Sequence, residues 1–190
     1  MIKNLFTVPV LQQKLDLDLS SIKNYCLSLK KKEKEGRVRS NKGGWQSENL
    51  IGEHPVLDGL VLNILNYGNN FSKILKIKNK LLLDNIWINI NTYNNVNIPH
   101  IHPGSILSGV FYVNVPKDSG NIRFQRPDYH LAGCVWPENL FETMNEENSL
   151  EWWMPSIENY LYLFPSWLSH WVEPNLNKKE ERISISFNLA

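Results

Sequence analysis

The sequence predicts a mainly β protein: a sandwich or jelly roll of short strands, supported by α-helices in its N-terminal part. Three observations carry this. Apolar residues recur with a helical period in the first third of the chain, the period changes to two at about Asn85, and the apolar runs beyond it are short and rich in β-branched and aromatic residues. Pro, Gly, Asn and Asp separate those runs, as expected of a barrel or sandwich with tight turns.

In chain order, Leu19, Ile22, Tyr25, Cys26 and Leu29 share one helical face, with Ser20 or Ser21 as the N-cap and the solvated run 30–35 closing the helix. Residues 36–44 are basic and contain glycines, which reads as a mobile surface connection, with a substrate-gripping flap as the alternative. A second helix is expected from about Pro55 through Leu57, Leu60, Val61, Ile64, Leu65 and Phe71, since proline suits a first helical turn. From Asn85, Ile86, Ile88 and Ile90 alternate with Trp87, Asn89 and Asn91, the pattern of a half-buried strand. Further strands are expected at 107–115, 121–125, 160–164, 170–173 and 183–189, and residues 128–155 form an irregular excursion near the open end of the barrel. The expected organisation is one domain over residues 1–190, with helical support over about 1–80 and the β core over about 85–190.

Bulk properties exclude more than they identify. At 190 residues, 42% hydrophobic and 21% charged, the chain can bury one core. Its 20 Lys+Arg balance 19 Asp+Glu, so no global field draws it to nucleic acid or an acidic membrane surface. No segment approaches the roughly 18 consecutive apolar residues of a membrane span, and the N-terminus lacks signal-peptide form. Cys26 and Cys134 form no metal-type pair, so reduced thiols and a cytoplasmic location are expected. The oligomeric state is not legible.

The chemistry concentrates in three of the five histidines and one arginine. His100 and His102 lie one residue apart on an extended segment and project to the same side, so they can converge on one ion; the alternative is two solvent-facing imidazoles at a strand end beside Pro103. His54 and His130 lie in loop-like contexts. Downstream, His170 is followed, after a polar hairpin, by Arg182-Ile183-Ser184 at the start of a strand. Alternation puts Arg182 and Ser184 on one face, where a guanidinium fork and a hydroxyl suit the distal carboxylate of a dicarboxylic acid; the alternative is a surface arginine paired with Glu180 or Glu181.

The order H-I-H, S-G-V-F-Y-V-N-V-P, L-F-P-S-W-L-S-H-W-V-E-P and R-I-S-I-S-F-N resembles the 2-oxoglutarate/Fe(II) dioxygenase superfamily over about residues 85–190. It is similar in particular to small prolyl-hydroxylase-like members from bacteria and phages. The resemblance implies a double-stranded β-helix of cupin-like jelly-roll form. It makes His100 and His170 iron ligands, places His102 where an acidic ligand is usual, and makes Arg182 the 2-oxoglutarate anchor with Ser184 and Tyr112 beside it. The implied cofactors are Fe(II), 2-oxoglutarate as cosubstrate and O2. The implied reaction is hydroxylation of a C–H bond in a protein or amino-acid substrate, with release of succinate and CO2.

His102 departs from the usual two-histidine, one-carboxylate pattern, which leaves three ligand arrangements. His102 binds iron beside His100, His102 replaces His100 with the latter behind it, or the carboxylate comes from elsewhere, such as Asp128. Two other functions stand as alternatives: a cupin-like three-histidine dioxygenase that does not use 2-oxoglutarate, against which Arg182 and Ser184 argue, and a non-catalytic β-barrel serving as a binding or virion-associated module. Trp87, Trp167 and Trp171 neighbour the candidate site in sequence and read as rim or core packing. Arg123 and Arg126 read as solvated or Asp128-paired residues, with substrate contact as the alternative for Arg126, and Asn89 is expected to point into the barrel.

Overall fold

The structure is a computed structural model that describes residues 1–52 and 54–190. Two antiparallel sheets face each other, and two helices cover the outside of the larger one. The N-terminal part contributes β1 (Leu11–Lys14), α1 (Leu19–Lys32), β2 (Asn41–Lys42), β3 (Trp45–Gln46), a 3₁₀ turn (Pro55–Leu57) and α2 (Asp58–Ile74). The remainder supplies β4 (Leu83–Asn91), β5 (Val96–His100), β6 (Leu107–Asn114), β7 (Ile122–Gln125), α3 (Tyr129–Val135), β8 (Glu151–Met154), β9 (Tyr160–Pro165), β10 (His170–Val172) and β11 (Arg182–Leu189). Strand order is β1-β9-β6-β11-β4-β3 in the larger sheet and β2-β5-β10-β7-β8 in the smaller. This is the expected jelly roll. No helix among the described residues is long and apolar enough to cross a membrane.

The strict alternation of β11 explains its central place. Ile183, Ile185, Phe187 and Leu189 point outward with Ile86, Ile88 and Ile90 of β4, and pack in one core with Ile22 and Cys26 of α1 and Leu60, Ile64 and Phe71 of α2. Gly68 lets α2 approach this sheet, since a side chain there would overlap Leu189. A smaller apolar cluster, Val110, Tyr112, Ile122, Phe124, Tyr162, Phe164 and Leu168, fills one half of the space between the sheets. Polar residues of β4 and β11 line the other half.

Several local expectations are corrected. The N-cap of α1 is Asp18, whose carboxylate accepts from the N–H groups of Ser20 and Ser21 at 3.0 and 3.1 Å. Residues 36–44 are no plain surface connection. They carry β2, paired with β5, and lead into β3, paired with β4, so the segment is stitched to both sheets. Asn41 holds its curve together, with Nδ2 donating to the carbonyls of Arg37 and Gly44 and Oδ1 accepting from the N–H of Arg39. The excursion 128–155 contains α3 and β8, and β1 pairs with β9 where the sequence predicted no strand.

Candidate metal centre and anion pocket

Sheet register brings the histidines together. His100 ends β5 directly opposite His170, the first residue of β10. His102 follows two residues later, its backbone N–H held at 3.0 Å by the carbonyl of Ser166. One ligating atom from each of the three lies within 4.8 Å of the others, and the Nε2 atoms of His102 and His170 are 3.3 Å apart. Neighbouring donors about 2.1 Å from one ion are separated by roughly 3 Å, so the spacing suits a shared cation.

Protonation favours the same use. The carbonyl of Ile98 accepts from His100 Nδ1 at 2.7 Å and that of Leu168 from His170 Nδ1 at 2.9 Å, which leaves each Nε2 lone pair free. Burial lowers all three pKa values, to about 4 for His102 and about 3 for His170, with neighbouring imidazoles adding to the shift at these two. Three neutral, converging imidazoles fit a divalent metal. Phe164 packs 4.5 Å from the His170 ring, and Trp87 lies 5.8 Å from that of His102.

A carboxylate from Asp128 does not complete this set. Asp128 sits on the exposed approach to α3, where Arg126 Nε donates to it at 2.6 Å, and among the described residues no acidic group joins the three histidines. Short-range pairing with Arg126 has claimed the carboxylate.

Arg182 is 1% exposed and points inward, as the sequence pattern predicted. Its Nη1 donates to the carbonyls of Ser119 and Glu173, while Nη2 is buried without a partner. The surface alternative fails because Glu181 pairs with Lys30 at 2.7 Å. Glu173, whose charge is felt at Arg182, accepts from Arg123 at 2.5 Å. A buried guanidinium with no carboxylate partner among the described residues is costly, and an anion would offset that cost. The Tyr112 hydroxyl is likewise buried and meets no hydrogen-bond geometry; burial raises its pKa, and the Arg182 charge and the neighbouring Ser156 hydroxyl oppose the rise. Ser184, opposite Tyr112 in the register, lines a narrow cavity of about 30 Å3 shared with the three histidines, Asn89 and Ser186.

Asn89 points into this space as expected, its Nδ2 donating to Ser186 at 3.0 Å. Ser186 was not singled out in the sequence, although the alternation that selects Arg182 and Ser184 also selects it. Trp87 lines the mouth, Trp167 is exposed and Trp171 is half-buried. Arg123 and Arg126 form ion pairs with Glu173 and Asp128.

Fold and site together define a jelly roll whose two sheets enclose a three-histidine cluster fit for a divalent metal. A family model described as "Putative 2OG-Fe(II) oxygenase" matches residues 85–188, just over half of the chain, and the chain belongs to this family. Its cofactors are accordingly Fe(II) and 2-oxoglutarate. No curated protein sequence matches it. Among solved structures it is similar to a Pseudomonas putida prolyl-4-hydroxylase (TM-score 0.63, 16% identity, 96% of this chain and 92% of that one). It is also similar to the viral collagen prolyl hydroxylase of Paramecium Bursaria Chlorella virus-1 (TM-score 0.60, 14% identity, 94% of each chain). A third is HygX from Streptomyces hygroscopicus, solved with nickel and 2-oxoglutarate (TM-score 0.62, 10% identity, 97% of this chain and 83% of that one).

Proposed function

We propose that this protein is a hydroxylase that inserts oxygen into a C–H bond of a protein or peptide substrate and releases succinate and CO2. His100, His102 and His170 hold the iron, and Arg182, Tyr112 and Ser184 hold the distal carboxylate of 2-oxoglutarate. The observation that carries this reading is the pairing of a three-imidazole cluster with two buried, unpartnered donors, Arg182 Nη2 and the Tyr112 hydroxyl, in one barrel.

When bound, the iron and 2-oxoglutarate supply the oxidising power, through oxidative decarboxylation of the cosubstrate by O2. The protein's own residues prepare for this. The Nδ1 hydrogen bonds of His100 and His170 fix ring orientation and keep the inward nitrogens unprotonated. Three neutral imidazoles bring no negative charge to the metal, so charge balance at the site falls to the anionic cosubstrate. Arg182 grips the far end of that cosubstrate through a charge-assisted hydrogen bond, which sets its reach toward the histidines. Phe124, Phe164 and Trp87 limit the access of water to the reacting centre.

The test is a reaction under O2 with Fe(II), 2-oxoglutarate and a pool of peptides. Succinate should form together with a peptide mass gain of one oxygen atom, and both should fall sharply with Arg182→Ala at a 2-oxoglutarate concentration that just saturates the wild type. Succinate release that is insensitive to Arg182→Ala would refute the assigned anchor.

A further inference from the structure

A second, larger depression opens outside the histidines. It has a volume of about 670 Å3 and is walled on one side by residues 37–40, 46, 47 and 49, on the other by residues 98 and 100–102. The metal centre forms its floor, since His100 and His102 line both this groove and the inner cavity. Its size lies in the middle of the range for ligand clefts.

The lining has a marked charge bias. The charged side chains in it are both guanidiniums, Arg37 and Arg39. Arg37 meets Glu48 at 3.1 Å, but Arg39 makes no ion pair among the described residues. Neither arginine sits on a loose loop, because Asn41 clamps the backbone at both. Beside them Val38 is 83% exposed and Ile101 47%, giving an apolar shelf at the rim. A further lining residue, Gln46, is only 6% exposed, and its Oε1 is buried without a hydrogen-bond partner.

We propose that the groove takes an acidic peptide segment, with a carboxylate on Arg39. This rests on the hydroxylase reading above and names the substrate class of the same site. The unpaired Arg39 guanidinium selects the charge, the size of the groove and its apolar rim of Val38 and Ile101 favour a peptide over a simple organic acid, and the shared histidine floor puts the bound chain next to the oxidising centre. Arg39 thus acts as a specificity residue: it touches the substrate away from the bond that reacts.

The experiment is a fluorescence-anisotropy titration of the full chain, loaded with Fe(II) and 2-oxoglutarate without oxygen, using a rhodamine-labelled octapeptide bearing three glutamates and its glutamine counterpart. The glutamate peptide should bind at least tenfold more tightly. Arg39→Lys should keep most of that preference, Arg39→Ala should remove it, and Arg39→Glu should invert it. Arg39 is exposed, so these variants should fold. Unlabelled glutarate serves as the small-acid arm: full competition by glutarate at concentrations equal to the peptide would overturn the peptide assignment, and equal binding of both peptides, or of neither, would overturn the whole inference. The wild-type visible band of the Fe(II)–2-oxoglutarate complex separates the two levels. With the band present, a failed titration sinks the groove proposal alone; without it, the hydroxylase reading fails as well.

Discussion

The two faces of the sheet formed by β4 and β11 obey opposite rules. Outward, Ile86, Ile88, Ile90, Ile183, Ile185, Phe187 and Leu189 pack on the helices with no polar group to satisfy. Inward, the intervening positions are Asn89, Asn91, Arg182, Ser184 and Ser186, and this lining leaves Asn89 Oδ1, Asn91 Nδ2 and Arg182 Nη2 buried without partners. One face lowers the free energy of the folded chain by removing apolar surface from water. The other retains unmet hydrogen-bonding capacity that a ligand can use, so the same eight residues of β11 serve stability and chemistry on alternate positions.

Substitutions on the two faces should therefore separate function from stability. The largest effect belongs inside: His170→Ala should abolish Fe(II) binding in isothermal titration while circular dichroism shows a folded chain, because a three-ligand set that loses its most buried member keeps only two. On the outside, Phe187→Ala should cost about 3–5 kcal/mol in urea unfolding and leave metal stoichiometry unchanged in the folded fraction. Inside again, Arg182→Ala should weaken 2-oxoglutarate by about tenfold to a hundredfold, the range of a lost charged hydrogen bond, with metal affinity nearly unaltered.

A subtler contrast is in acid. In the unfolded chain these histidines take up protons near pH 6.5, whereas in the folded, metal-free protein His102 and His170 resist until about 4 and about 3. The unfolded state therefore binds more protons below pH 6.5, and stability should fall as pH drops from there toward 3, with no contribution from these groups above neutrality. Thermal melts across that window should show the slope, and His170→Gln should flatten it. The smallest expected effect is far from both faces: Asp18→Ala should cost about 1 kcal/mol by uncapping α1, with no change in metal or cosubstrate binding.

The same contrast explains what was legible in the sequence. Period-two alternation identified β4 and β11 and put Arg182 and Ser184 on one face, because that signal is local and repeats every second residue. The histidine spacing pointed to an ion for a similar reason. Features set by distant partners were harder to read. The placement of residues 36–46 depended on pairing with β4 and β5. Asp18, Ser20 and Ser21 are all good caps, so propensity alone could not choose among them. The excursion 128–155 has no clean period, yet α3 forms there and β8 forms by pairing with β7.

The central claim is that the converging imidazoles and the buried Arg182–Tyr112 donors serve one metal and one diacid. It is tested most directly by adding Fe(II) and 2-oxoglutarate to the protein without oxygen and recording the visible spectrum. A weak charge-transfer band is predicted, present in wild type, lost with His170→Ala, and requiring higher 2-oxoglutarate in Arg182→Ala. A correctly folded wild-type protein that binds Fe(II) but gives no band at saturating 2-oxoglutarate would contradict the account.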